Sequence, residues 1–257
     1  MGSYLSAEHP ILLAHRGSML LWPENTLVAF QSAVDAGARY LETDVRLTAD
    51  GEVVTFHDPV MDRVTNGTGS VAQWRYEDLR RLDAAHHFGE GTPLRGRGIY
   101  VPTLEEAMTV LPDTRWNIDV KSDDVVYPLA RLIARRHWQD RVLVASFSDR
   151  RLRRLRRLTR GGVATSSGML ETAAMLAASR IGLALRTSAD AFQVPEAYHG
   201  VTVVDGGFVA AVHTAGAHIH VWTVNDPSAI DRLLALGVDG IVTDRPDLAS
   251  RVMGSSR

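Results

Sequence analysis

The sequence predicts an α/β fold: a (β/α)8 barrel of the TIM type, with a small insertion after its second strand. Three observations predict it. Apolar, β-branched runs alternate with amphipathic helical patterns along the 257 residues, the signature of repeated βα units around a parallel sheet. The strand-like runs number eight, which favours a closed barrel over an open sheet. Unusual polar residues gather where several of those runs end, the face on which such barrels carry their sites.

Taken in order, Ile11–Ala14 is the first strand, and Glu24–Ala36 follows as a helix stopped by Gly37. Tyr40–Val45 is the second strand. Val53–His57 would spoil the count as a ninth, but Asp50-Gly51 before it is a hairpin turn signal, so it reads as a return arm extending strand two. From about residue 59 to 101 the chain is rich in Gly, Thr and Asp, with a short helix expected at Tyr76–Leu82. That length exceeds an ordinary βα loop, so the segment is expected to rise over the carboxyl-end face and wall the site in part. The remaining strands are Arg115–Val120, Val142–Ser146, Gly162–Thr165, Ala191–Val194, Ile219–Thr223 and Gly240–Thr243. In the basic run Arg150–Arg160, Leu152, Leu155 and Leu158 recur every third position, which reads as a solvated helix with one buried face. Pro227–Leu236 is a helix capped by Asn225 or Asp226 and ended by Gly237. Residues 1–257 are read as one barrel domain.

Composition narrows the function. With 45% hydrophobic and 23% charged residues the chain can bury a large core. A net charge of −2 argues against a nucleic-acid partner or a polybasic membrane patch. The absence of cysteine excludes disulfides, thiolate catalysis and cysteine-ligated zinc. The first residues show no signal-peptide pattern, and Ile11–Ala14 is too short to cross a bilayer. The expectation is a cytoplasmic protein without stable membrane association, its oligomeric state left open.

Chemistry-bearing residues fall at the first three strand ends. Strand one leads into His15-Arg16-Gly17, strand two carries Glu42 and Asp44, the hairpin returns to His57-Asp58, and strand three carries Asp119 before Lys121. Lys121 is the single lysine among 28 lysines and arginines. A compact point charge is therefore kept where the chain elsewhere uses a planar fork. The i, i+2 spacing puts Glu42 with Asp44, and Asn117 with Asp119 and Lys121, on one strand face. Three carboxylates converging in a partly dry pocket repel one another unless a cation holds them. Oxygen ligands without cysteine favour Mg2+ or Ca2+ over zinc. Arg16 and Lys121 beside such a cation make a seat for a phosphate. Cleaving a phosphodiester also moves one proton off a nucleophile and another onto a leaving alkoxide, a task for two placed histidines, His15 and His57. Trp222 and Phe147 offer aromatic planes near the mouth, with core packing as the competing reading. His218-Ile219-His220 imitates a metal-binding His-x-His but falls at the seventh strand, and is read as structural.

The chain resembles the glycerophosphodiester phosphodiesterases along nearly its whole length. The resemblance is carried by Ala14-His15-Arg16-Gly17, Pro23-Glu24-Asn25-Thr26, Glu42-Thr43-Asp44-Val45, Phe56-His57-Asp58-Pro59, Val101-Pro102-Thr103-Leu104-Glu105-Glu106, Ser146-Phe147-Ser148, Trp222-Thr223-Val224-Asn225 and Asp239-Gly240-Ile241-Val242-Thr243-Asp244-Arg245-Pro246. It implies hydrolysis of a glycerophosphodiester to glycerol 3-phosphate and an alcohol. It further implies Glu42, Asp44 and Asp119 as metal ligands, His15 and His57 as the acid/base pair, Arg16 and Lys121 as phosphate contacts, and Glu24 as support for Arg16. Family members commonly carry glutamate where this chain has Asp119, a side chain shorter by one bond of about 1.5 Å. Two rivals remain: a phospholipase D-like hydrolase of lysophospholipids or sphingomyelin, and a non-catalytic phosphodiester-binding module. Against the first stands the lack of an apolar lid evident in the sequence. Against the second stands the acid/base pair, which binding alone does not require.

Overall fold

The computed structural model describes residues 3–6, 10–89 and 92–255. In several units one local logic repeats: a short apolar strand, a polar cap, then a helix with one buried face. β1 (Ile11–Ala14) leads to α1 (Leu27–Asp35), where the Thr26 hydroxyl accepts the Ala29 amide and closes the N-terminus. β2 (Tyr40–Leu47) turns back into β3 (Val53–Thr55), antiparallel to it with Val45 opposite Thr55. Gly51 makes that turn possible, at φ +88°, where a Cβ is disfavoured. Next come α2 (Tyr76–Leu79), α3 (Leu104–Val110), β4 (Arg115–Val120), α4 (Val126–Arg136), β5 (Val142–Ala145), α5 (Asp149–Leu158), β6 (Ala164–Thr165), α6 (Met169–Arg180) and β7 (Ala191–Pro195). A small hairpin, β8 (Ala197–Tyr198) with β9 (Val201–Thr202), follows β7. The chain finishes with α7 (Gly206–Thr214), β10 (His218–Trp222), α8 (Pro227–Ala235), β11 (Gly240–Thr243) and α9 (Pro246–Ser255).

Eight strands pair in parallel in the order β1-β2-β4-β5-β6-β7-β10-β11, and β11 returns to β1 with Gly240 beside Ile11. The ring closes between β6 and β7 through a bridge of Ser166 with Ala191, where the Ser167 amide donates to the Ala191 carbonyl at 2.9 Å. The result is a TIM-type barrel. Outside the ring, Leu41, Trp116, Ile118 and Val120 pack under the helices against Phe30, Met108 and Leu129. At the amino end, buried Tyr4 plugs the interior and its carbonyl accepts the Tyr40 hydroxyl at 3.0 Å. Leu13, Leu143, Ala191 and Val242 belong to the same interior cluster. The opposite end of the interior is left to polar side chains. Phe30 meets Trp116 edge-on at 4.9 Å and is fully buried. Phe30→Ala is expected to cost about 3–5 kcal/mol in a urea melt; a loss below 1 kcal/mol, at the level of an ordinary surface change, would contradict this account of the outer core.

Several boundaries and one burial differ from the sequence reading. α1 begins at Leu27 instead of Glu24, because Asn25 is left-handed at φ 56° and Thr26 is extended. Glu24 and Asn25 are thereby released from the helix to face the barrel mouth. α2 ends at Leu79, since the Arg81 and Leu82 amides bond three residues back, to Asp78 and Leu79. β6 starts at Ala164, with Gly161 and Gly162 still in the preceding turn. Leu158 is 41% exposed while Leu152 and Leu155 are buried. Each three-residue step lags the 3.6-residue turn by about 60°, so the third leucine swings out of the buried stripe. The segment after the hairpin forms its own cluster, with Met61, Val64, Val71, Leu79, Ala84 and Val101 packed on Val54 and Phe56. Among the described residues no helix is long and apolar enough to cross a membrane.

Candidate active site

The β2–β4 register builds the centre of the site. Glu42 lies beside Asn117 and Asp44 beside Asp119, on parallel strands about 4.8 Å apart. Two carboxylates are thus forced together, and Lys121 answers both: its Nζ is 2.6 Å from Asp119 Oδ2 and 2.9 Å from Asp44 Oδ1. Asp44 also accepts from Asn25 Nδ2 and faces Arg16 Nε, each at 3.1 Å. Arg16 is placed by a tight bend. Gly17 follows it at φ +86°, where a Cβ would lie 2.7 Å from the Ala29 backbone, so only glycine lets the chain pass over α1. The Arg16 amide then donates to Glu42 Oε2 at 3.0 Å and its guanidinium to Glu24 at 3.0 Å.

Each histidine has its own carboxylate. His15 Nδ1 is 2.6 Å from Asp244, and Asn225 fixes that partner by donating to its Oδ2 at 2.7 Å and accepting its amide at 2.9 Å. His57 Nδ1 is 2.6 Å from Asp58, which takes Arg63 Nε at 2.5 Å. Arg63 also holds Glu24 at 2.7 and 2.8 Å, tying the insertion to the first-strand loop. His57 itself arrives through the hairpin, where the Phe56 amide bonds the Asp44 carbonyl at 2.9 Å.

These groups surround a cavity of about 230 Å3 lined by His15, Arg16, Glu42, Asp44, His57, Asp119, Lys121, Phe147 and Trp222, with Asn117 and Gln193 also in its wall. Every residue singled out for the site lines it except Glu24, which stands behind Arg16. Burial pushes Glu42 up to about 7, aided by the Asp44 charge. Burial and Asp44 likewise raise Asp119 in spite of Lys121. For Asp44 burial acts in the same sense, but Lys121 and Arg16 outweigh it and hold the carboxyl below its usual range. Burial opposes charge on both histidines. Asp244 and Glu42 overcome it at His15, which is raised, whereas at His57 burial with Arg16 and Lys121 prevails and the ring is lowered.

The donor set suits a hard divalent cation: three carboxylates, no thiol. Asp119 Oδ1 is buried without a hydrogen-bond partner, which leaves that oxygen available to a cation. The carboxylates nevertheless lean on Lys121 and Arg16, and among the described residues no three His, Asp or Glu groups converge on one point suited to an ion. Ligation of an ion here would require side-chain rotation from the present ion pairs.

Asp58, Arg63, Asn225 and Asp244 were not singled out from sequence as site residues. Asp58 and Asp244 sit beside motifs that were, and Asp244 follows the eighth strand, so extending the strand-end rule beyond strand three would have found it. His218 and His220 both lie within β10. His220 is buried with its Nδ1 3.2 Å from Gln193, and His218 Nδ1 is 3.8 Å from Asp239, so neither reaches the cavity wall.

Comparison with known proteins places the chain in a family and agrees with the barrel fold. Residues 15–248 match the model of the glycerophosphoryl diester phosphodiesterase family. A Mycobacterium tuberculosis protein named "Probable glycerophosphodiester phosphodiesterase 2" is 38% identical over 249 residues, spanning 95% of this chain and 90% of that one. A glycerophosphodiester phosphodiesterase of Caldanaerobacter subterraneus subsp. tengcongensis is 33% identical over 247 residues, spanning 92% and 95%. The crystal structure of a glycerophosphodiester phosphodiesterase from Agrobacterium tumefaciens superposes with a TM-score of 0.78 at 26% identity, covering 94% of this chain and 99% of that one. The chain belongs to the glycerophosphoryl diester phosphodiesterase family.

Proposed function

We propose that this chain, as one barrel domain with residues 59–101 as its insertion, hydrolyses glycerophosphodiesters to glycerol 3-phosphate and an alcohol by two-histidine acid/base catalysis. The observation that carries the reading is the pair of histidines, each fixed at 2.6 Å by its own carboxylate, lining one cavity with Arg16 and Lys121. With Nδ1 engaged on both rings, Nε2 is the atom each presents for proton transfer. One ring takes the proton of the nucleophile and the other protonates the departing alkoxide. Arg16 and Lys121 face the phosphate oxygens as charge develops on them. Glu42, Asp44 and Asp119 would hold a divalent cation, Mg2+ or Ca2+. When bound, that cation supplies Lewis-acid stabilisation of the phosphate.

The test is release of glycerol 3-phosphate across a panel of glycerophosphodiesters, with and without chelator. Turnover is expected, lost in EDTA and restored by Mg2+ or Ca2+. No release from any member of the panel sinks the function, and chelator-resistant turnover removes the cation. Asp244 serves as a positioning residue for His15. Asp244→Asn keeps the shape but removes the carboxylate that fixes the ring, so kcat is expected to fall about 100-fold with KM little changed. An unaltered kcat would show that the contact is merely structural.

A further inference from the structure

Below the carboxylates a second polar layer crosses the barrel. Asn117 stands two residues before Asp119 on β4 and opposite Glu42 on β2. At about 3.3 Å per residue its layer lies roughly 6.6 Å deeper than the Asp44 and Asp119 pair. Gln193 comes from β7, which is not a neighbour of β4, and the two amides bond across the interior. Gln193 Nε2 donates to Asn117 Oδ1 at 3.1 Å, and Asn117 Nδ2 donates to Gln193 Oε1 at 3.3 Å. Both side chains line the cavity. His220 sets the sense of the pair. Its Nδ1 lies 3.2 Å from Gln193 Nε2 and accepts that group's other hydrogen, so the Gln193 amide is held in one orientation. The ring is fully buried beside Gly240, where a Cβ would meet its Cδ2 at 2.7 Å, so glycine leaves the histidine its place.

The closed pair leaves a defined set of groups for a ligand. Each amide oxygen has used one of its two acceptor positions and Asn117 Nδ2 one of its two hydrogens, while Gln193 Nε2 is fully engaged. Two acceptors beside one donor fit hydroxyl groups, which give and take hydrogen bonds at once. They do not fit the oxygens of a phosphodiester, which only accept. We propose that Asn117 and Gln193 bind the free hydroxyls of the substrate's glycerol, with His220 as their positioning residue. The diester then enters glycerol first, with its hydroxyls on the amide floor, its phosphate at Lys121 and Arg16, and its departing alcohol toward the mouth. The inference rests on the glycerophosphodiester reading and adds the residues that recognise the glycerol. Length and volume agree. At about 1.5 Å per bond the hydroxyls of a glycerol reach the floor from a phosphate held one layer above. The cavity of about 230 Å3 is the share of roughly eight waters at ~30 Å3 each, room for a glycerol and a phosphate. A site built to bond a hydroxyl rejects the analogue that lacks it.

The experiment is calorimetric titration with glycerol 3-phosphate and with n-propyl phosphate, which keeps the phosphate and the three carbons but has no hydroxyl. The parent chain is expected to bind glycerol 3-phosphate at least about tenfold more tightly. Gln193→Met and, from the other side of the barrel, Asn117→Leu are each expected to lose about tenfold on glycerol 3-phosphate and nothing on n-propyl phosphate. His220→Phe removes the accepting nitrogen and should narrow the preference, whereas His220→Asn, whose Oδ1 can accept in its place, should retain it. Equal binding of the two anions by the parent overturns the floor. So do single variants at Asn117 and Gln193 that keep the preference, or that lose both anions alike. A preference unchanged in His220→Phe overturns the positioning role. A parent that hydrolyses no member of the glycerophosphodiester panel overturns the phosphodiesterase reading itself, a distinct result.

Discussion

The His57→Ala variant is expected to lose between about 10^2- and 10^4-fold in kcat while folding normally and keeping its affinity for a divalent ion. The loss follows from the proposed role, in which His57 is one of two groups that move a proton across the cavity. Folding is preserved because the ring carries little of the structure. Its backbone is held independently, by Arg46 Nε on the His57 carbonyl at 2.8 Å and by the hairpin bond from the Phe56 amide to the Asp44 carbonyl. The ring is only partly buried, and its hydrogen-bond partner Asp58 keeps Arg63 when the ring is removed. Ion affinity is expected to be preserved because the proposed ligands Glu42, Asp44 and Asp119 are untouched. Glycerol 3-phosphate release at saturating substrate, with calorimetric titration of Mg2+ or Ca2+, separates the two effects. Near-normal turnover would remove His57 from the chemistry, and a parallel loss of ion affinity would make its role structural.

The barrel was readable because its strands are short, mostly apolar runs buried on both faces, and because i, i+2 pairs such as Glu42 with Asp44 declare their common face without tertiary information. β3 was placed correctly as a return arm because a turn with Asp50-Gly51 is a local signal. What escaped was set by contacts distant in sequence. His15 and Asp244 are 229 positions apart and meet only because β11 closes the ring onto β1. Arg63 reaches Glu24 only because the insertion folds back over the first-strand loop. The convergence of Asp44 and Asp119 is expected from the strand ends, but their placement as direct neighbours depends on strand register, which no single strand encodes.

Lys121→Met is expected to destabilise the ion-free chain by about 3–5 kcal/mol, the cost of removing one partner from a buried ionic group. The reason lies in the β2–β4 register, which fixes Asp44 and Asp119 as neighbours whatever occupies position 121. Lysine spans them because a single ammonium on a flexible stem reaches two carboxylates at 2.6 and 2.9 Å. A guanidinium presents its donors in a rigid fork, so Lys121→Arg is not a conservative change and is expected to recover only part of the loss. The two carboxylates left unpaired are also proposed cation ligands. Added Mg2+ or Ca2+ should therefore stabilise the Lys121→Met chain more than the parent, by the linkage between ion binding and folding. Activity should stay low even with ion present, since the proposed phosphate contact is lost and the ion does not replace it. Urea melts in EDTA and in excess divalent ion, for parent and both variants, measure the first two effects, and glycerol 3-phosphate release measures the third. Stability unchanged in EDTA would show that the two carboxylates do not depend on Lys121. Full activity in Lys121→Met would take the phosphate contact away from the single lysine the chain possesses.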